Sequence, residues 1–204
     1  MKKIFSFVIV ALFATATAYT QEINGLDENV REEVKEYAKE KVGEFNGHLS
    51  YIASKKVPVD VKDDHISEAL MLFIGQGKES RDQYGNVIPA PIMEVSSINR
   101  STGKVKVRPR QLTVYLDALK SMSYTEVLVS ASEATYISDL QPEGNGRYKA
   151  VLSYAQIFVG KRDGIVVYRD VTKKSIEIYI EVKTYGDKKL YEILLGNIKV
   201  DATE

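Results

Sequence analysis

From Tyr124 to Val200 the chain carries four long runs of β-branched and aromatic residues, with three turn signals between them and no proline inside any run. Pro142-Glu143-Gly144-Asn145-Gly146, Asp163-Gly164 and Gly186-Asp187 supply the turns, so the stretch predicts a meander of antiparallel hairpins. Ile176, Ile178, Ile180 and Val182 alternate with Ser175, Glu177, Glu181 and Lys183, which puts one face on a core and the other toward water, with Tyr179 on the polar side. Tyr148, Ala150, Leu152, Tyr154 and Phe158 share a face of the second run. Val127, Val129 and Ala131 keep phase in the first run until Glu133 interrupts it, which predicts a bulge and a bent strand. Runs this long, with a bulge, imply a strongly curved sheet whose concave face is where a ligand would sit.

The residues upstream read as cover for that sheet. Val30, Val34, Ala38, Val42, Phe45, Leu49 and Ile52 fall at helical spacing, predicting one long amphipathic helix from Leu26 to about Lys55 with Asp27 as its cap. Gly43 and Gly47 each cost about 1 kcal/mol in a helix interior, so a break or bend is expected near them. A second helix is expected to follow Asp63 or Asp64, bury Ile66, Ala69, Leu70 and Phe73, and end at Gly75. Residues 75–91 show no apolar period and read as a loop, mobile or acting as a lid over the open end of the pocket. Met93 to Ile98, a turn at Ser101-Thr102-Gly103 and Lys104 to Arg108 form a hairpin. Pro109 suits the first turn of a third helix with Leu112, Tyr115, Leu116 and Leu119 on its apolar side.

Residues 1–18 combine Met1-Lys2-Lys3, an apolar stretch from Ile4 to Phe13 and small residues from Ala14 to Ala18, the pattern of a signal peptide with cleavage expected after Ala18 and Ala16 as the other candidate. Residues 19–204 are then a single α+β domain, secreted to a periplasmic or extracellular place. No later segment is apolar enough for a membrane span. There is no cysteine, so stability must come from the core rather than from disulfides. Without Lys2 and Lys3, 26 basic residues stand against 28 acidic ones, a balance that gives no overall pull toward nucleic acid.

The order helix, helix, hairpin, helix and four-stranded meander resembles the nuclear transport factor 2-like fold, called cystatin-like in looser usage. The resemblance runs from about Leu26 to Val200, and the segment Asp139 to Tyr148 with the run Tyr168-Arg169-Asp170-Val171-Thr172 is similar in look to small secreted proteins of Bacteroidota. It implies three helices packed on a curved antiparallel sheet around a cone-like pocket, often a homodimer through the sheet, and activities ranging from isomerases and dehydratases to plain interaction modules. Fold alone does not choose among these.

Enzymes of this class place acids, histidines or tyrosines in the cavity. No matching motif is present, but Glu133 and Gln156 interrupt apolar faces near Tyr136 and Tyr154, and these four residues are the candidate ligand-binding set. The plainer reading makes Glu133 a bulge and puts Gln156 and Glu192 on solvent-facing positions. His48 and His65 are too far apart in sequence for a local metal pair, and Asp63-Asp64-His65 reads as a cap and first turn, so no metal or cofactor is expected. The thirteen tyrosines, with no tryptophan, read mainly as core residues rather than a carbohydrate platform. Arg100, Lys104, Lys106, Arg108 and Arg110 put five positive charges within eleven residues. They form either a solvated strand face that discourages edge pairing or a docking stripe for an anionic partner.

The function these features predict is a secreted, non-catalytic binding or interaction module of the cell envelope, engaging a small molecule or a protein. The competing prediction is a pocket enzyme of isomerase or dehydratase type using a carboxylate and a tyrosine. A carboxylate pointing into a closed cavity, with a phenol or second acid within hydrogen-bond reach, separates the two.

Overall fold

The computed structural model describes residues 28–82, 85–99, 101–131, 136–144, 146–186 and 188–203. Residues 1–18, read as a signal peptide, Asp27, expected as the helix cap, Glu133, Arg100 and the side chain of Tyr136 lie outside the described residues.

The first helix, α1 (Glu28–Ala53), buries all seven apolar residues of its stripe. It runs on through Gly43 and Gly47 without the expected break. Both glycines face outward, and no heavy atom lies within 4 Å of where a Cβ would stand. Their backbone cost is therefore offset by the opposite face, where each large apolar side chain contributes about 1.5–3 kcal/mol on burial.

Helix α2 (Val59–Met71) begins earlier than expected, with Pro58 at the N-cap. Asp63, Asp64 and His65 consequently sit in the helix interior and do not cap it. Residues 75–82 and 85–88 are more structured than a bare loop. A 3₁₀ turn (Ile74–Gly77) leads into a ribbon of β1 (Ser80–Arg81) and β2 (Val87–Ile88), which the Asp82 carboxylate closes by accepting from the Asn86 backbone and side chain, both at 2.9 Å.

The main sheet is mixed and mostly antiparallel. Strands β3 (Ile92–Ile98) and β4 (Val105–Gln111) form the hairpin. The meander comprises β5 (Glu126–Ala131), β8 (Arg147–Arg162), β9 (Ile165–Tyr185) and β10 (Lys188–Thr203), giving the order β4-β3-β10-β9-β8-β5. Short β6 (Tyr136–Ile137) and β7 (Gln141–Gly144) continue along β8 beyond β5. Ala131 opposes Gln156 while Tyr136 opposes Ser153, five steps against three, so two extra residues lie on that side. The β8–β9 turn carries Asp163 at φ 52° and Gly164 at φ 83°, the left-handed pair of a tight hairpin. Pro109 lies in β4 and not in α3 (Leu112–Lys120). As the outermost strand of the order, β4 tolerates a residue with no N–H.

Two features tie the hairpin to the meander. Strand β3 pairs with β10 in parallel at Met93 and Ile198. A bulge at Gly196-Asn197 turns the Asn197 side chain so that its oxygen accepts from the Ile92 N–H at 2.8 Å and its nitrogen donates to Glu177 at 2.8 Å. Gly196 is required there, since a Cβ would stand 2.5 Å from the Tyr179 ring. On the helix-facing side, Leu152, Tyr154, Ile176, Ile178 and Ile180 join the α1 stripe, Leu112, Leu116 and Leu119 in one core.

Candidate functional site

The alternation that places Ile176 and Ile178 in the core carries on toward the β8–β9 turn, and there the inward positions become polar. On β9 they are Lys174, Thr172, Asp170 and Tyr168. On β8 they are Tyr154, Gln156 and Phe158, with Tyr154 opposite Lys174, Gln156 opposite Thr172 and Phe158 opposite Asp170. Helix α1 adds Asn46, and α3 adds Tyr115. Gln156, Thr172 and Lys174 are buried at 6%, 4% and 5% exposure. The predicted solvent-facing position of Gln156 is thus corrected, while Glu192 is exposed.

Part of this cluster is closed on itself. The Gln156 carboxamide donates to Asn46 Oδ1 at 2.6 Å, and Asn46 Nδ2 donates to the Val42 carbonyl at 2.7 Å. The Tyr168 hydroxyl donates to Asp170 at 2.6 Å. Two groups remain open. The Tyr154 hydroxyl is buried beside Asn46, which is already engaged by Gln156 and acts on the phenol, but among the described residues no hydrogen bond of ordinary geometry reaches it. Among the described residues, no hydrogen bond or ion pair reaches the Lys174 ammonium. Native interiors seldom leave such groups open unless a ligand, ion or water completes them.

The electrostatics follow from burial. Desolvation pushes the Lys174 amine down to about 8, against the pull of the Asp170 carboxylate, which favours the charged form. Burial likewise raises the Tyr154 phenol far above its usual range, with Tyr115 adding to the rise and Asn46 opposing it. Tyr115 is raised by burial and then by Asp170. The cluster therefore presents two buried donors, an amine that exchanges its proton near neutrality, and a carboxylate bonded to a phenol.

Of the predicted ligand-binding set, Tyr154 and Gln156 meet here. Tyr136 contributes its backbone opposite Ser153, and Glu133 falls outside the described residues. Sequence reading missed Lys174, Asp170 and Tyr115. The signal was present in the alternation itself, because the inward phase of Ile176, Ile178 and Ile180 continues through Lys174, Thr172 and Asp170.

A second concavity lies at the other end of β8 and β9, where Ile74, Gly75 and the β1–β2 ribbon help to bound a cleft of about 820 Å³. Arg81, Asp82, Glu143, Arg147, Glu181 and Lys183 supply charges of both signs to its wall. The basic stripe lies elsewhere again. Lys104 precedes β4, whose Lys106, Arg108 and Arg110 are exposed and, among the described residues, form no ion pair. Val105 and Val107 are exposed as well, so β4 projects beyond the core on both faces.

The two histidines also depart from expectation. Although 17 positions apart in sequence, His48 on α1 and His65 on α2 bring their Nδ1 atoms to 3.0 Å, because the two helices fold back on each other. Sequence separation was the wrong measure across a helical hairpin.

No family model matches the chain, and no curated protein does. Among solved structures it is similar to a protein of Novosphingobium aromaticivorans provisionally named a scytalone dehydratase. The TM-score is 0.41 at 9% identity, covering 86% of this chain and 90% of that one. A likeness at that level fixes no residue correspondence. Among the described residues no helix is long and apolar enough to cross a membrane.

Proposed function

We propose that this chain is a secreted binding protein of nuclear transport factor 2-like architecture that holds the acceptor group of a small molecule, a carboxylate or carbonyl oxygen, on Lys174 and Tyr154. The observation that carries the reading is the unpartnered Tyr154 hydroxyl of β8, which stands at the position opposite the buried Lys174 of β9. An unpartnered buried amine costs folding free energy, and an acceptor bound between the two donors returns it. Secretion rests on the pattern of residues 1–18, and the architecture on the order of elements.

The test is a thermal-shift screen of small carboxylic acids and carbonyl compounds against wild type, Lys174→Met and Tyr154→Phe. A binder raises the wild-type midpoint and leaves Lys174→Met unmoved. Equal responses in wild type and both variants overturn the assignment and send the search to the cleft lined by Arg81 and Lys183.

One observation favours the catalytic reading as a second choice: Asp170 accepts from a phenol and lies close enough to Lys174 to raise its proton affinity. A carboxylate, a phenol and an amine of depressed basicity suffice for proton abstraction beside a carbonyl. Exchange of such protons in heavy water, followed by NMR and lost in Asp170→Asn or Lys174→Met, would establish it; binding without exchange would leave the binding protein.

A further inference from the structure

The seam between α1 and α2 holds a second group of side chains, separate from the Lys174 cluster. His48 Nδ1, His65 Nδ1 and Glu68 Oε2 stand 3.0, 3.5 and 3.8 Å from one another around a common centre. Ligand atoms bonded to zinc at about 2.0–2.1 Å in a tetrahedron are separated by about 3.4 Å, so the three distances bracket one tetrahedral face.

The surroundings fit the same arrangement. His65 and Glu68 are one helical turn apart, and His48 comes from the facing helix, so both helices close on the centre. The Tyr51 ring stacks on His65 at 4.5 Å and 11°, fixing that imidazole's plane. The far nitrogen of His48, Nε2, is buried without a hydrogen-bond partner and has the Glu44 carboxylate 3.9 Å away. That is the side on which an outer carboxylate orients a ligating histidine and increases its basicity.

We propose that His48, His65 and Glu68 bind one divalent transition ion of the zinc class, with Glu44 as the outer carboxylate behind His48. Two imidazoles and one carboxylate suit zinc, cobalt, nickel or copper better than calcium or magnesium, which take oxygen donors. Three protein ligands leave a fourth position open to water or a small ligand. The Glu68 side chain is 57% exposed, which gives an ion a way in.

The experiment is calorimetric titration of zinc chloride into the full chain, stripped with a chelator and carrying no histidine tag, beside His65→Gln and Glu68→Gln. The expected result is a single tight site per chain, weakened at least a hundredfold in His65→Gln and at least tenfold in Glu68→Gln. Zinc should also raise the wild-type melting midpoint and leave that of His65→Gln where it was. Glu68 is exposed, so its variant keeps the test decisive even if the histidine variant folds poorly. Circular dichroism establishes folding in each case, and cobalt, whose visible bands report tetrahedral ligation, checks the geometry. Wild-type affinity no better than that of folded Glu68→Gln, or weak binding at several sites, overturns the proposal and leaves a hydrogen-bonded histidine pair.

Discussion

The two faces of the β8–β9 pair treat charge in opposite ways. On the outer face the charged side chains toward the Arg147 end of the pair meet opposite ones. Arg147 bonds Glu181 directly across the strands at 3.0 Å, and Lys149 reaches Glu177 at 2.9 Å while lying over the Tyr179 ring. Glu177 also accepts from Asn197 and from the Tyr179 hydroxyl. On the helix-facing side, the same two strands bury Lys174 and Tyr154, and among the described residues no ion pair reaches either. The outer face spends its charges on holding the sheet together, and the inner face keeps two donors in reserve, so only the inner face calls for an explanation beyond stability.

The largest effect expected from breaking this contrast is a gain. Lys174→Met removes a buried amine whose displacement to about 8 corresponds to roughly 3 kcal/mol against the folded state. Its melting midpoint should therefore rise by several degrees in the absence of ligand. The folded amine gives up its proton near pH 8, whereas the unfolded one holds it to 10.5. Unfolded chains thus bind more protons between those values, and wild-type stability climbs across that window, with the full penalty present below it. Denaturant unfolding from pH 7 to 10.5 should show the climb in wild type and a flat profile in the variant. The charged neighbour that bears on this titration is Asp170, which favours the protonated amine.

Next in size is Gln156→Leu, which strands Asn46 Oδ1 in the core and should cost about 1–3 kcal/mol in urea unfolding. A smaller loss, about 1–2 kcal/mol, is expected for Glu177→Gln on the outer face. There burial works to raise the carboxyl, but Lys149, Asn197 and Tyr179 together hold it below its ordinary 4.5. Its contribution is fully present above 4.5 and disappears as pH falls through the depressed value, so acid titration should show wild type and variant apart at neutral pH and converging as the pH falls below 4.5. The smallest effect belongs to Lys183→Ala, which breaks a pair exposed on both sides with Glu192 and should shift the midpoint by less than about 1 kcal/mol. A loss at Lys183 larger than that at Gln156 would reverse the contrast between the faces.

The parts legible in the sequence were those where one period runs uninterrupted. The α1 stripe from Val30 to Ile52 and the alternation of Ile176, Ile178 and Ile180 gave both layers of the core with their correct faces. Boundaries were misread where a residue type admits two roles. Pro109 serves an edge strand as well as a first helical turn, and Asp63 and Asp64 cap helices or sit in the solvated middle of one. The candidate site was half legible. Tyr154 and Gln156 stood out as polar interruptions on an apolar face, but Lys174 was passed over because lysine normally marks the wet side of a strand. The seam of His48, His65 and Glu68 was hidden for a different reason, since it depends on how α2 folds back against α1, which no periodicity within either helix records.

The parallel pairing of β3 with β10 has a consequence for the order of events during folding. Ile92 and Asn197, which bond across that junction, are separated by 105 positions, so closing it costs about 2 kcal/mol more loop entropy than closing a ten-residue hairpin. Strand β10 follows every other element in the chain yet lies between β9 and β3 in the sheet. Until it arrives, the β3–β4 hairpin has no strand of the meander to pair with, and β9 is left with a long unpaired edge. Half-made chains are therefore at their stickiest just before completion, when one such edge can pair with another copy instead of with its own last strand.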